Sequence, residues 1–172
     1  MGSLLGDEGS ACALGLLGLR VAVRAFENLT PTPTSLLEAI CQYYGLVKEN
    51  FQRNLVYLAY QKPLSRTEID GVATVVTKLA GQGDPIAERI TAKVANDLSD
   101  LSLSTARWLF SATEAFDVVM AGGLVNAGDL ILIPFRRRLF EEFPKVVFQT
   151  GSEAPAVALG RLALHDIQEE TC

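Results

Sequence analysis

Only two short stretches of this chain read as β-strands, and that shortage limits what it can fold into. The first is Phe116-Asp117-Val118-Val119-Met120-Ala121, stopped by Gly122-Gly123, and the second spans residues 145–149. A two-stranded sheet is marginal in water and leaves strand edges without partners. The strands that would complete it are therefore expected from elsewhere. Everything else with a clear period is helical, so the fold class expected is α/β and rich in helix.

Helical segments are predicted over most of the chain. Residues 8–26 form the first, with small residues (Ala11, Ala13, Gly15, Gly18) set among long apolar ones. Glycine inside a helix lowers its propensity, and its use there signals a neighbour packed close to the backbone. Thr34 is placed to cap a helix over 35–44 with Gly45 as its stop, and residues 48–61 continue with Phe51, Leu55 and Leu58 on one face. From Ser65, the residues Ile69, Val72, Val76 and Leu79 recur at helical spacing until Gly81-Gln82-Gly83. Asp84 as N-cap and Pro85 at the first helical position begin a long helix reaching towards Leu109. Leu132, Phe135, Leu139 and Phe143 mark another helix, in which Pro134 either makes a kink or belongs to the first turn of a later start. A last helix, rich in small residues, is expected over 155–167.

Composition excludes several function classes. With 172 residues there is room for one compact domain, and 49% apolar against 20% charged residues is a globular balance. The net charge is −5, and Arg136-Arg137-Arg138 is the one basic run, so no nucleic-acid partner is expected. That run, followed by Glu141 and Glu142, reads as a solvated helix face. Cys12, Cys41 and Cys172 form no CxxC pair and His165 is the single histidine, so no zinc site is expected. An odd, scattered set of cysteines suits a reducing, cytoplasmic compartment. Residues 11–23 are apolar, but they follow Asp7 and Glu8 and contain Arg20, which fits a buried helix better than a signal or a membrane span. Trp108 and the phenylalanines are expected in the core, and the tyrosines in the helical part.

Two places carry chemistry. The strand, Gly-Gly turn and helix over 118–138 lets a ligand approach the backbone, with helix N–H groups near by, which is a general way to seat a nucleotide; an ordinary tight turn has the same sequence. Gly6-Asp7-Glu8-Gly9-Ser10 opens the first helix, where Asp7 is either a helix cap or a carboxylate able to accept hydrogen bonds from sugar hydroxyls.

Taken together, Gly6-Asp7-Glu8-Gly9-Ser10-Ala11, the Gly81-Gln82-Gly83-Asp84-Pro85 string, Ala121-Gly122-Gly123-Leu124-Val125 and a small-residue last helix resemble the BadF/BadG-type ATPases, and within them the N-acetylglucosamine kinases. The resemblance covers nearly the whole chain. It implies a partial ribonuclease-H-like lobe of the actin/hexokinase type, lacking its first strands. Residues 1–172 would be an incomplete C-terminal nucleotide-binding lobe. It also implies ATP and Mg²⁺ as cofactors, an amino sugar as partner, and phosphorylation of the sugar 6-hydroxyl.

Position by position, the resemblance places Asp7 on the sugar. It places Gly122, Gly123, Leu124, Val125, Asn126 and Ala127 against adenine and ribose, with Asp70 and Gly71 on the adenine side. A small residue is usual in the family at the position of Asp70, so that carboxylate is a departure. The family's DGGT-type and GTGS-type phosphate loops and its aspartate base all precede the GDEGS string, which starts here at Gly6. The chain is therefore expected to lack them, to be inactive alone, and to associate, for instance as a homodimer, through uncovered apolar surface. Two other readings compete: an activator ATPase of a 2-hydroxyacyl-CoA dehydratase, whose cluster-binding cysteines Cys12, Cys41 and Cys172 do not obviously supply, and a non-catalytic relic of a longer protein.

Overall fold

The computed structural model describes residues 6–57, 64–151 and 157. Along the chain come α1 (Ala11–Phe26), α2 (Leu36–Tyr44), a 3-10 turn (Lys48–Asn50), α3 (Phe51–Val56), α4 (Arg66–Gly81) and α5 (Pro85–Leu109). They are followed by β1 (Asp117–Met120), a 3-10 turn (Gly123–Ala127), α6 (Asp129–Glu142) and β2 (Val147–Thr150). This is a helix-rich α/β arrangement with a small parallel sheet. The last helix expected over 155–167 falls outside the described residues, apart from Val157, as do Leu58, Tyr60, His165 and Cys172.

The starts and stops follow the local chemistry. Ser65 and Glu68 close a capping box at the head of α4. Asp84 accepts from the N–H groups of Ile86 and Ala87 at the head of α5, where Pro85 has no N–H to leave unsatisfied. The same carboxylate accepts from Ser35 N–H at 2.7 Å and from the Thr34 hydroxyl at 3.0 Å, which ties the start of α2 to the start of α5. Thr34 in turn accepts from Leu36 N–H, and Gly45, left-handed at φ 65°, ends α2. Pro134 lies within α6 without ending it; the helix runs on at the cost of the bond that Pro134 cannot donate to Leu130.

Two cores result, and α5 runs through both. In the first, Leu14, Ile40, Phe51, Val72, Val76 and Val94 bring α1 to α5 together. In the second, Leu103 and Ala106 of α5 pack with Met120, Phe135, Leu139, Phe143 and Val146 around the sheet. The small residues of α1 are explained by α4: a Cβ at Gly15 would overlap the Ile69 carbonyl oxygen, and one at Gly18 would crowd Val76. The helices meet nearly backbone to backbone.

β1 and β2 are parallel, in register from Asp117 opposite Val147 to Met120 opposite Thr150, with α6 as the crossover. Among the described residues each strand pairs on one side alone, and Val119 stays 62% exposed. Trp108, expected in the core, is instead 84% exposed near the end of α5, because the second core takes Leu103 and Ala106 from that stretch and leaves the opposite face uncovered. Leu101 is exposed on that face too. The arginine run is only partly a solvated face. Arg137 is, but Arg138 bonds Asp100 and the Asn96 carbonyl, and Arg136 stacks over Phe148 at 5.7 Å, so these two pin α6 to its neighbours.

Candidate functional site

Where α5 passes from one core to the other, the elements diverge and leave a cavity of about 410 Å³. One wall is the opening of α1, Gly9 to Cys12. Facing it are β1 and the turn after it, from Val118 to Val125, with Arg66 and Asp70 of α4, Leu98 and Ser102 of α5, and Phe135 of α6 completing the lining. Two strings far apart in sequence thus form opposite walls of one space.

The α1 wall depends on Gly9. Its φ is +78°, a region that other residues rarely adopt, and a Cβ there would meet the Leu98 backbone at 2.7 Å. The tight approach seats the start of α1 on α5. Capping falls to Ser10, whose hydroxyl accepts from Ala13 N–H at 3.0 Å. Asp7 is therefore not the cap: its backbone carbonyl accepts from Ser10 N–H, and its side chain is free to turn elsewhere. It turns to Arg66, whose Nη2 lies 3.1 and 3.0 Å from its two oxygens. Asp7 stands just outside the lining and reaches it through this arginine.

The opposite wall begins at Gly122, with φ +98° and no atom within 4 Å of where a Cβ would lie. The chain does not enter a helix directly, as the strand–glycine–helix pattern suggested. It makes the 3-10 turn first, and Gly128, at φ 60°, separates that turn from α6. The segment that follows the strand into the lining is this turn, not the N-terminus of α6. Gly123 lies opposite Ala11, its notional Cβ 3.9 Å from that of Ala11. Behind them opens a smaller cavity of about 200 Å³, lined by Ala11, Asp70, Ala73, Thr74, Thr77, Gly123, Leu124 and Ala127.

Of the residues singled out from sequence, Gly122, Gly123, Leu124, Val125 and Asp70 line the larger cavity, and Ala127 joins three of them around the smaller one. Asn126 lies in the same turn. Gly71 is elsewhere: a Cβ there would overlap the Tyr43 hydroxyl, so its small size serves the packing of α2 on α4. Arg66 was missed, and no local signal marks it, since its role comes from a contact with Asp7 in another element.

Electrostatically the site holds two carboxylates, Asp7 and Asp70, near one guanidinium. Burial, then Asp70 and Asp7, push the Cys12 thiol up from its ordinary value, and Arg66 works against them. These influences favour the neutral thiol of Cys12 over its thiolate. Asp70 Oδ1 is shut off from solvent without a hydrogen-bond partner. No group of three or more His, Cys, Asp or Glu residues among the described residues could hold a metal ion, and none of the described helices is long and apolar enough to cross a membrane.

No protein-family model matches the chain. It is 24% identical over 145 residues to the N-acetylmuramic acid/N-acetylglucosamine kinase of Clostridium acetobutylicum, an alignment covering 84% of this chain and 46% of that protein. The chain thus spans about half the length of the curated relative that it matches.

Proposed function

We propose that this chain provides the adenosine-side wall of an ATP-dependent amino-sugar kinase, with Asp7 as a sugar ligand and N-acetylglucosamine or a close relative phosphorylated at its 6-hydroxyl. The observation that carries this is the convergence of the Gly9–Ser10 opening of α1 and the Gly122–Gly123 turn on one cavity. Similarity to a sugar kinase over 84% of the chain supports the same reading.

The roles follow from what each group can do. The turn exposes backbone where a flat base and its ribose can approach, and Gly122 and Gly123 keep that approach open. Asp7, held by Arg66, keeps acceptor capacity for sugar hydroxyls, because an ionised carboxylate offers about four lone-pair sites. Phosphoryl transfer is governed by positioning and charge stabilisation around the γ-phosphate. Arg66 is the cation in the cavity lining and Asp70 the carboxylate, so the described residues are equipped for binding more than for the chemical step. They build no Mg²⁺ cage. Mg²⁺ keeps much of its water and is held largely by nucleotide phosphates, so the nucleotide is expected to carry it in.

The test is a pair of equilibrium titrations of the 172-residue chain, one with ATP and Mg²⁺ and one with N-acetylglucosamine. Saturable binding of both at millimolar concentration or below is the expected result. A folded chain that takes up neither ligand contradicts the proposal.

A further inference from the structure

We infer that Asp70 is the residue that reads the ribose, accepting hydrogen bonds from its 2′- and 3′-hydroxyls, so that the site prefers ribonucleotides to 2′-deoxyribonucleotides. This rests on the nucleotide reading of the cavity given above.

The position of Asp70 comes first. It lines both the larger and the smaller cavity and therefore stands where they join. The smaller one is walled by Ala11, Ala73, Gly123 and Ala127, whose small side chains leave room for a flat ring, and Thr74 and Thr77 add hydroxyls. The larger one holds Arg66, one helical turn before Asp70 on α4 and so on the same side of that helix. Space for a ring on one side and a cation on the other match the two ends of a nucleotide. Its sugar, which links base to phosphate, then falls beside Asp70.

The chemistry of the junction agrees. An ionised carboxylate is an acceptor only, with two oxygens side by side. A ribose presents two adjacent O–H donors, and carboxylates that read a ribose 2′-hydroxyl recur in dinucleotide-binding folds. Asp70 is also in need of donors: its Oδ1 is shut off from solvent and has no hydrogen-bond partner. Leaving such an oxygen unmade is costly, and the soft terminal torsion of an aspartate lets the carboxylate turn to meet an incoming diol.

The experiment is calorimetric titration of the 172-residue chain, as wild type, Asp70→Ala and Asp70→Asn, with ATP and with 2′-deoxy-ATP. Losing a hydrogen bond to a charged group is expected to weaken wild-type binding of 2′-deoxy-ATP by roughly tenfold to a hundredfold relative to ATP. In Asp70→Ala the ratio should fall close to one, and in Asp70→Asn it should lie between. Equal binding of the two nucleotides by wild type, or the same ratio in wild type and Asp70→Ala, overturns the inference and leaves the nucleotide site standing. Should wild type bind neither nucleotide, the reading beneath it falls as well. Should Asp70→Ala fail to fold, the Asp70→Asn ratio decides the matter: a ratio equal to that of wild type overturns the inference.

Discussion

Arg66 Nη2 donates to both carboxylate oxygens of Asp7, at 3.1 and 3.0 Å, across 59 residues of sequence. The pair ties the segment that opens α1 to the first turn of α4 and fixes the direction in which Asp7 presents its remaining lone pairs. Arg66 is 58% exposed and Asp7 22%, so the pair is partly screened and contributes at most about 1 kcal/mol to stability.

That difference separates structure from function in one variant. Asp7→Asn should change the unfolding free energy by less than about 1 kcal/mol. It should weaken N-acetylglucosamine binding by roughly tenfold to a hundredfold, because the sugar loses a charged acceptor. ATP affinity should hold. Calorimetry with each ligand checks this, and unchanged sugar binding with a lowered melting temperature would assign Asp7 to structure alone.

Gly15→Ala tests the contact between α1 and α4. In an open helix this change stabilises by up to about 1 kcal/mol. Here the added methyl would overlap the Ile69 carbonyl oxygen, a backbone atom that cannot swing aside. A net destabilisation of about 1–3 kcal/mol is expected in urea unfolding. A gain in stability would show that the helices are further apart.

Tyr44 provides a pH signature of the helical core. Burial, with Tyr43 and Glu68 adding to it, pushes its phenol up to about 12. An unfolded chain titrates this group near about 10, so between the two values the folded state holds the extra proton. Stability from this source is complete below about pH 10 and is lost as pH rises towards about 12. Tyr44→Phe should flatten that fall when urea midpoints are compared at about pH 9 and about pH 11.5. An equally steep fall in the variant would remove Tyr44 as its cause.

Local signals are legible in the sequence, and relations between distant elements are not. Asp84-Pro85 announced α5, and Gly15 and Gly18 announced a close neighbour, because capping and helix propensity act over a few residues. The turn at Gly122 was legible for the same reason. Ser10 rather than Asp7 as the cap of α1 was within reach of local rules, since serine is as good a cap and stands next to the first helical residue. The Arg66–Asp7 pair, the Gly71–Tyr43 contact and the exposure of Trp108 depend on how helices cross, which periodicity does not encode. The shortage of strands was evident at once, and the parallel pair with one partner each among the described residues reproduces it.

Gly123→Val tests the central claim, that the turn after β1 seats the nucleotide, most directly. A valine there would extend towards Ala11 from a Cβ position 3.9 Å away and fill the mouth of the smaller cavity, with no positive φ to strain. Calorimetric titration of wild type and variant with ATP and Mg²⁺ should show at least about a tenfold loss of affinity, or about 1.4 kcal/mol, with N-acetylglucosamine binding and melting temperature nearly unchanged. ATP binding of equal strength in a folded Gly123→Val chain would place the nucleotide elsewhere and contradict the account.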